Sequence, residues 1–79
     1  LPQALQKARE AILSGGDVAL ILSDAQKAIL AAGFANVDYF ALADAQTLTP
    51  VSALTGRPLR LLAAAKIGKT RLIDNLAVE

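Results

Sequence analysis

Residues 59–78 read LRLLAAAKIGKTRLIDNLAV, two largely apolar runs, Leu59–Ile67 and Thr70–Val78, on either side of Gly68-Lys69. Glycine at the first position of a two-residue loop suits a type II′ turn, whose twist matches that of the strands it joins. Such a turn sets the register, because a slip of one residue would send every side chain to the other face. Ile67 then lies opposite Thr70, Ala65 opposite Leu72, Leu61 opposite Leu76 and Leu59 opposite Val78. That face is nearly all aliphatic, broken by Asp74 opposite Ala63. The other face pairs Lys66 with Arg71, Ala64 with Ile73, Leu62 with Asn75 and Arg60 with Ala77. An aliphatic sheet face must be buried against a second layer.

The first third of the chain supplies that layer. Leu1, Ala4, Leu5, Ala8 and Ile12 recur at helical spacing, and Pro2 suits a first helical turn. Ser14-Gly15-Gly16 stops this helix, and Asp17 is a good N-cap for the next. Val18, Ile21, Leu22, Ala25 and Ile29 form one buried face, with Ser23, Gln26 and Lys27 opposite and Gly33 at the end. A helical hairpin with a glycine connection results. Asn36–Asp44 (NVDYFALAD) alternates as a strand, with Tyr39 expected on the core face beside Val37 and Ala41. Ala45–Arg57 contains Thr, Pro50, Ser52 and Gly56 and reads as a loop. Pro58 cannot donate to a ladder, so the following strand starts at Leu59. The predicted fold is α+β: a two-helix hairpin packed on a small three-stranded antiparallel sheet, one domain over residues 1–79.

Composition narrows the function. The 79 residues allow one small domain, and 54% hydrophobic with 19% charged is a globular balance. A net charge of +1 with alternating signs gives no basic face for nucleic acid. No apolar run approaches the ~20 residues that cross a bilayer, and no leader pattern is visible, so neither membrane nor nucleic acid is an expected partner. Without Cys there is neither a disulfide nor a thiolate metal site, a usage that fits the cytoplasm. Without His the commonest general acid/base is missing too. There is no Met, even at position 1, which gives the expectation of a piece cut from a longer protein.

Three polar groups stand out. Lys66 and Arg71 face each other with Lys69 at the turn between them, and like charges across a strand pair repel. Either the tip splays these charges into water, or it presents them to an anion held by another part of the protein, helped by turn amides. Asp74 interrupts the aliphatic face and needs a partner, from backbone amides or from Arg71 or Lys69. Asn75 is an ordinary strand residue or a member of a polar network. Asp38 and Asp44 are about 20 Å apart on an extended strand, too far to act as a carboxylate pair. No phosphate loop, metal-ligand spacing or nucleophile motif occurs.

The strings VDYFALADAQTL (37–48) and AAAKIGKTRLIDNLAVE (63–79) resemble the end of bacterial pantothenate synthetases, the pantoate–β-alanine ligases. That family closes on a V-D-Y-F-type strand, an acidic-Ala-x-T-L stretch and an A-A-x-x-G-x-T-R-L-I-D-N hairpin. The helical hairpin ending in Ala31-Ala32-Gly33 precedes them at the matching distance, so the likeness spans essentially the whole chain. Two positions that are typically charged in the family are Ala41 and Ala43 here. The resemblance implies a cytoplasmic, homodimeric enzyme that condenses pantoate with β-alanine through pantoyl adenylate, using ATP and Mg²⁺. It implies a C-terminal lid on an N-terminal nucleotidyltransferase domain. The family's histidine signature and Met-Ser-Ser-Arg-Asn loop are absent, so no catalytic residue carries over and the segment alone is expected to be inactive. Lys66, Lys69 and Arg71 are the nucleotide-facing candidates, and Asp74 and Asn75 the structural polar ones. Two rival readings are an oligomerisation module and a winged-helix-like binding module, the latter lacking a third helix and a basic recognition face.

Overall fold

The structure, a computed structural model, describes residues 1–78 and contains the predicted elements. In chain order they are α1 (Pro2–Leu13), α2 (Val18–Ala31), β1 (Asn36–Asp44), β2 (Leu59–Ile67) and β3 (Thr70–Ala77). Pro2 opens α1, and the Asp17 carboxylate opens α2 by accepting the Leu20 amide at 3.1 Å. Such a cap stabilises a helix by about 1 kcal/mol. Both helices end in paired bonds that satisfy their last carbonyls: Gly16 N to Ala11 O with Gly15 N to Ile12 O, then Phe34 N to Ile29 O with Gly33 N to Leu30 O.

The strands form one antiparallel sheet in the order β1-β2-β3. The β2–β3 register is the one the glycine turn dictates, with Ile67 opposite Thr70 and Arg60 opposite Ala77. Helices cover one face only. There Leu5, Ala8 and Ile12 of α1 and Val18, Ala25 and Ile29 of α2 enclose Phe40, Leu42, Leu59, Leu61, Ala63 and Ala65. Leu59, Leu61, Ala63 and Ala65 are completely buried, so alternate residues of β2 carry the centre of the core.

Two expectations fail, each for a geometric reason. A β-bulge between Val37 and Tyr39 leaves Asp38 without a cross-strand partner. The extra residue turns Tyr39 to the face away from the helices, opposite Ala64, while Val37, Phe40 and Leu42 face the core. Tyr39 is therefore half-exposed and not a core residue. The aliphatic face of the hairpin is also covered for only part of its length. Helices of 12 and 14 residues are about 20 Å long, whereas a nine-residue strand runs about 30 Å. The tip overhangs this roof, and Ile67 and Leu72 stay exposed.

Candidate functional site

The hairpin tip is where the sequence concentrates charge. Gly68 has φ +58° and Lys69 is not left-handed, as a type II′ turn requires. Lys66 and Lys69 are exposed, and among the described residues neither has a carboxylate within salt-bridge distance. Arg71 behaves differently. Its Nε donates to Asp38 Oδ2 at 2.8 Å, an ion pair between the last strand and the bulge of the first. The bulge thus has a local use: it brings a carboxylate across β2 toward the arginine. The Arg71 hydrogen bond holds the Asp38 carboxyl below its ordinary value of 3.8, with the charges of Arg71 and Lys66 acting in the same direction. Three cations less one carboxylate leave a net +2 at the tip. The sequence placed these three cations together, and it missed that one of them is already engaged.

Asp74 lies on the helix side of β3 near the sheet edge, half-buried, and its Oδ1 accepts the Asn75 amide at 2.8 Å. Satisfaction by a backbone amide was among the expectations; neither Arg71 nor Lys69 takes part. Asn75 joins a polar pair on the opposite face, where its Oδ1 accepts from the Arg60 guanidinium.

The most fully hydrogen-bonded polar cluster lies at the other end of the sheet. Asp44 is buried and accepts the amides of Gln46 at 2.8 Å and Thr47 at 3.1 Å. Its second oxygen meets Arg57 Nε at 3.0 Å, and the Arg57 guanidinium also reaches Gln46 Oε1. The Gln46 and Thr47 amides hold the Asp44 carboxyl below 3.8, with a lesser contribution from Arg57. This constellation closes the 45–58 loop on the end of β1. The string D-A-Q-T (44–47) carried the signal, since an aspartate that opens a turn bonds the amides two and three residues on. The arginine that completes it, thirteen residues later, has no local signature.

The chain has no His or Cys, and among the described residues no three acidic side chains are grouped to hold a metal. The groove between α1 and α2 measures about 150 Å³, and two shallower hollows, beside Asp44 and Arg57 and between Gly16 and Leu54, measure about 330 and 350 Å³ and lie open to solvent. Among the described residues no helix is long and apolar enough to cross a membrane. The described residues thus form a two-layer module with a charged turn at one end of its sheet and a closed carboxylate–arginine cluster at the other.

Comparison with known proteins shows the family. Residues 1–77 match the family model described as pantoate-beta-alanine ligase. The chain is similar to the pantothenate synthetase of Rhizorhabdus wittichii, at 56% identity over 79 residues, all of this chain and 28% of that protein. It is also similar to the synthetase of Sphingopyxis alaskensis, at 54% identity over 77 residues, 98% of this chain and 27% of that one. Its fold matches the crystal structure of the pantothenate synthetase of Thermus thermophilus with TM-score 0.84 and 37% identity, over 99% of this chain and 28% of that one. The chain belongs to the pantoate–β-alanine ligase family and spans about 28% of the length of the relatives it matches.

Proposed function

We propose that these 79 residues are the C-terminal lid domain of a pantoate–β-alanine ligase. The intact enzyme joins pantoate to β-alanine at the expense of ATP, by way of pantoyl adenylate, and this segment alone is inactive. The observation that carries the reading is a match of the whole chain to about a quarter of the ligase, supported by a sequence without His or Cys and by the lack of a metal-ligand group among the described residues. The reacting groups then belong to the nucleotidyltransferase domain in the rest of the polypeptide. A lid suits such chemistry, because an acyl adenylate is lost to water unless the site closes, and closure also strengthens the electrostatic contacts within.

The free ammonium groups of Lys66 and Lys69 fit the charge of a polyphosphate. They are the side chains of this domain that face the nucleotide on closure. Arg71 plays a smaller part, since Asp38 neutralises it. Nothing among the described residues forms a metal cage, so the ligands of Mg²⁺ lie in the nucleotide and in the rest of the enzyme.

The test is made in the intact ligase. Lys66→Ala with Lys69→Ala raises the KM for ATP and slows adenylate formation, and adding Arg71→Ala changes little more. Unaltered ATP kinetics in the triple variant would make the tip a solvated turn and remove its nucleotide role.

A further inference from the structure

Helices cover one face of the sheet, and the other face has its own relief. Tyr39, Ala64 and Ile73 lie side by side across the three strands. Ala64 is fully buried at the floor, whereas Tyr39 is 39% and Ile73 62% exposed. Two strand spacings separate the walls, so the trough is about 10 Å wide, close to the width of a helix. Of the cations on this face, Arg71 is paired with Asp38 and Arg60 donates to Asn75, while Lys66 lies at the tip end with no carboxylate beside it. A partner seated over Ala64 covers Arg71 already paired and leaves Arg60 and Lys66 toward the two ends of the trough, where their charges reach water, so it avoids the usual penalty for burying a lone charge.

The sheet edges, by contrast, are partly closed to a further strand. The Val78 amide bonds Leu59 O, so alternation makes Arg60–Ala77 and Leu62–Asn75 wide pairs whose outer groups point away from β2. On that edge Asp74 takes the Asn75 amide and Arg9 takes the Ala77 carbonyl at 3.0 Å. On the β1 edge the segment around Pro50 fills the same role, with Val51 N bonded to Leu42 O. Away from the tip, the face and not the edge is left to receive a partner.

We infer that the Tyr39–Ala64–Ile73 trough seats an apolar ridge of the ligase's own remaining chain, and is the surface by which this domain docks on the catalytic part. The inference rests on the lid reading and adds which face is used. Relatives of this family carry most of their length outside the matched segment, so the occupant is covalently attached. A tethered surface competes at millimolar effective concentration, which a second copy reaches only at high protein concentration.

The experiment uses thiol labelling in the full-length ligase, in a background free of other reactive cysteines. Ile73→Cys places a thiol in the trough, and Leu20→Cys places a reference thiol on α2 at matched exposure, 63% against 62%. With a maleimide probe, the thiol at position 73 is expected to react roughly tenfold or more slowly than that at position 20, since it reacts through the undocked fraction. The slowing persists on dilution. Equal rates overturn the inference, and slowing that vanishes on dilution overturns it in favour of a second copy. Repeating the measurement with ATP and pantoate separates the two proposals. Protection that is present and indifferent to ligands keeps the docking face and rejects a moving lid; protection that deepens with ligands supports both.

Discussion

The two ends of the sheet are made from similar parts and put them to different uses. At one end Asp44, Arg57 and a loop close on one another; at the other Asp38, Arg71 and a glycine turn do the same. Asp44 is buried, with two backbone amides on one oxygen and an arginine on the other. Asp38 sits on a bulge in partial contact with water, and two unpaired lysines stand beside its arginine. A carboxylate that gathers backbone donors fixes a loop. One that meets only a side chain trims a surface charge. The difference lies in what is packed nearby, since the helical roof and the 45–58 loop enclose the first end and stop short of the second.

The largest effect should come from the covered part. Leu61 is fully buried between the helices and the sheet, and Leu61→Ala should cost about 2–5 kcal/mol through lost burial and a residual cavity. Urea unfolding should show a lower midpoint with an unchanged slope. A loss below 1 kcal/mol would mean that the core is looser than its burial indicates. At the overhanging tip the strongest constraint is the backbone. Gly68→Ala meets no atom within 4 Å but must hold φ +58°, so its cost, about 1–2 kcal/mol, is conformational. If Gly68→Ala is neutral, the turn has changed type and the comparison between the ends loses its footing.

The sequence displayed the parts of this molecule that depend on local pattern. Gly68-Lys69 set the β2–β3 register, Asp17 opened α2, and the alternation of Leu59, Leu61, Ala63 and Ala65 marked the buried face. It did not display what depends on one inserted residue or on distant pairing. The bulge at Asp38 reverses Tyr39, and nothing in NVDYFALAD distinguishes a bulged strand from a regular one. Arg57 and Arg71 find carboxylates thirteen and thirty-three residues away, distances at which no periodicity speaks. The extent of the roof was likewise hidden, because helix and strand lengths matter only once the layers are stacked. The candidate site was legible as a set of charges, and its effective membership was not.

Acid titration sharpens the contrast between the two carboxylates. Both have folded pKa values below the ordinary 3.8, so the folded state takes up protons less readily than the unfolded chain. Their contribution is complete above the unfolded value and is lost as pH falls through the depressed folded ones. Stability should therefore decline with acidification below about pH 4, where the unfolded chain begins to bind protons that the folded chain refuses. Asp44→Asn should flatten this decline more than Asp38→Asn, because the amides of Gln46 and Thr47 reward the charged form of Asp44 directly. Equal flattening by the two variants would show that burial at the loop end adds nothing to the pairing.

The smallest effect on stability belongs to the two free lysines, and that is what makes them informative. Lys66→Ala and Lys69→Ala remove exposed charges that touch no carboxylate, so unfolding midpoints should stay within about 0.5 kcal/mol of the parent. In the intact ligase the same changes should raise the KM for ATP, and more so at low salt, since exposed charges are screened over roughly 10 Å at 0.1 M. Asp38→Ala is the complementary test. It releases Arg71, takes the tip from net +2 to +3 and should lower the KM for ATP if a phosphate group approaches this turn. Should Asp38→Ala and the lysine variants move ATP kinetics in the same direction, charge is not what the tip contributes. Opposite movements, with stability unchanged in the lysine variants, would assign the overhanging end to binding and the enclosed end to the fold.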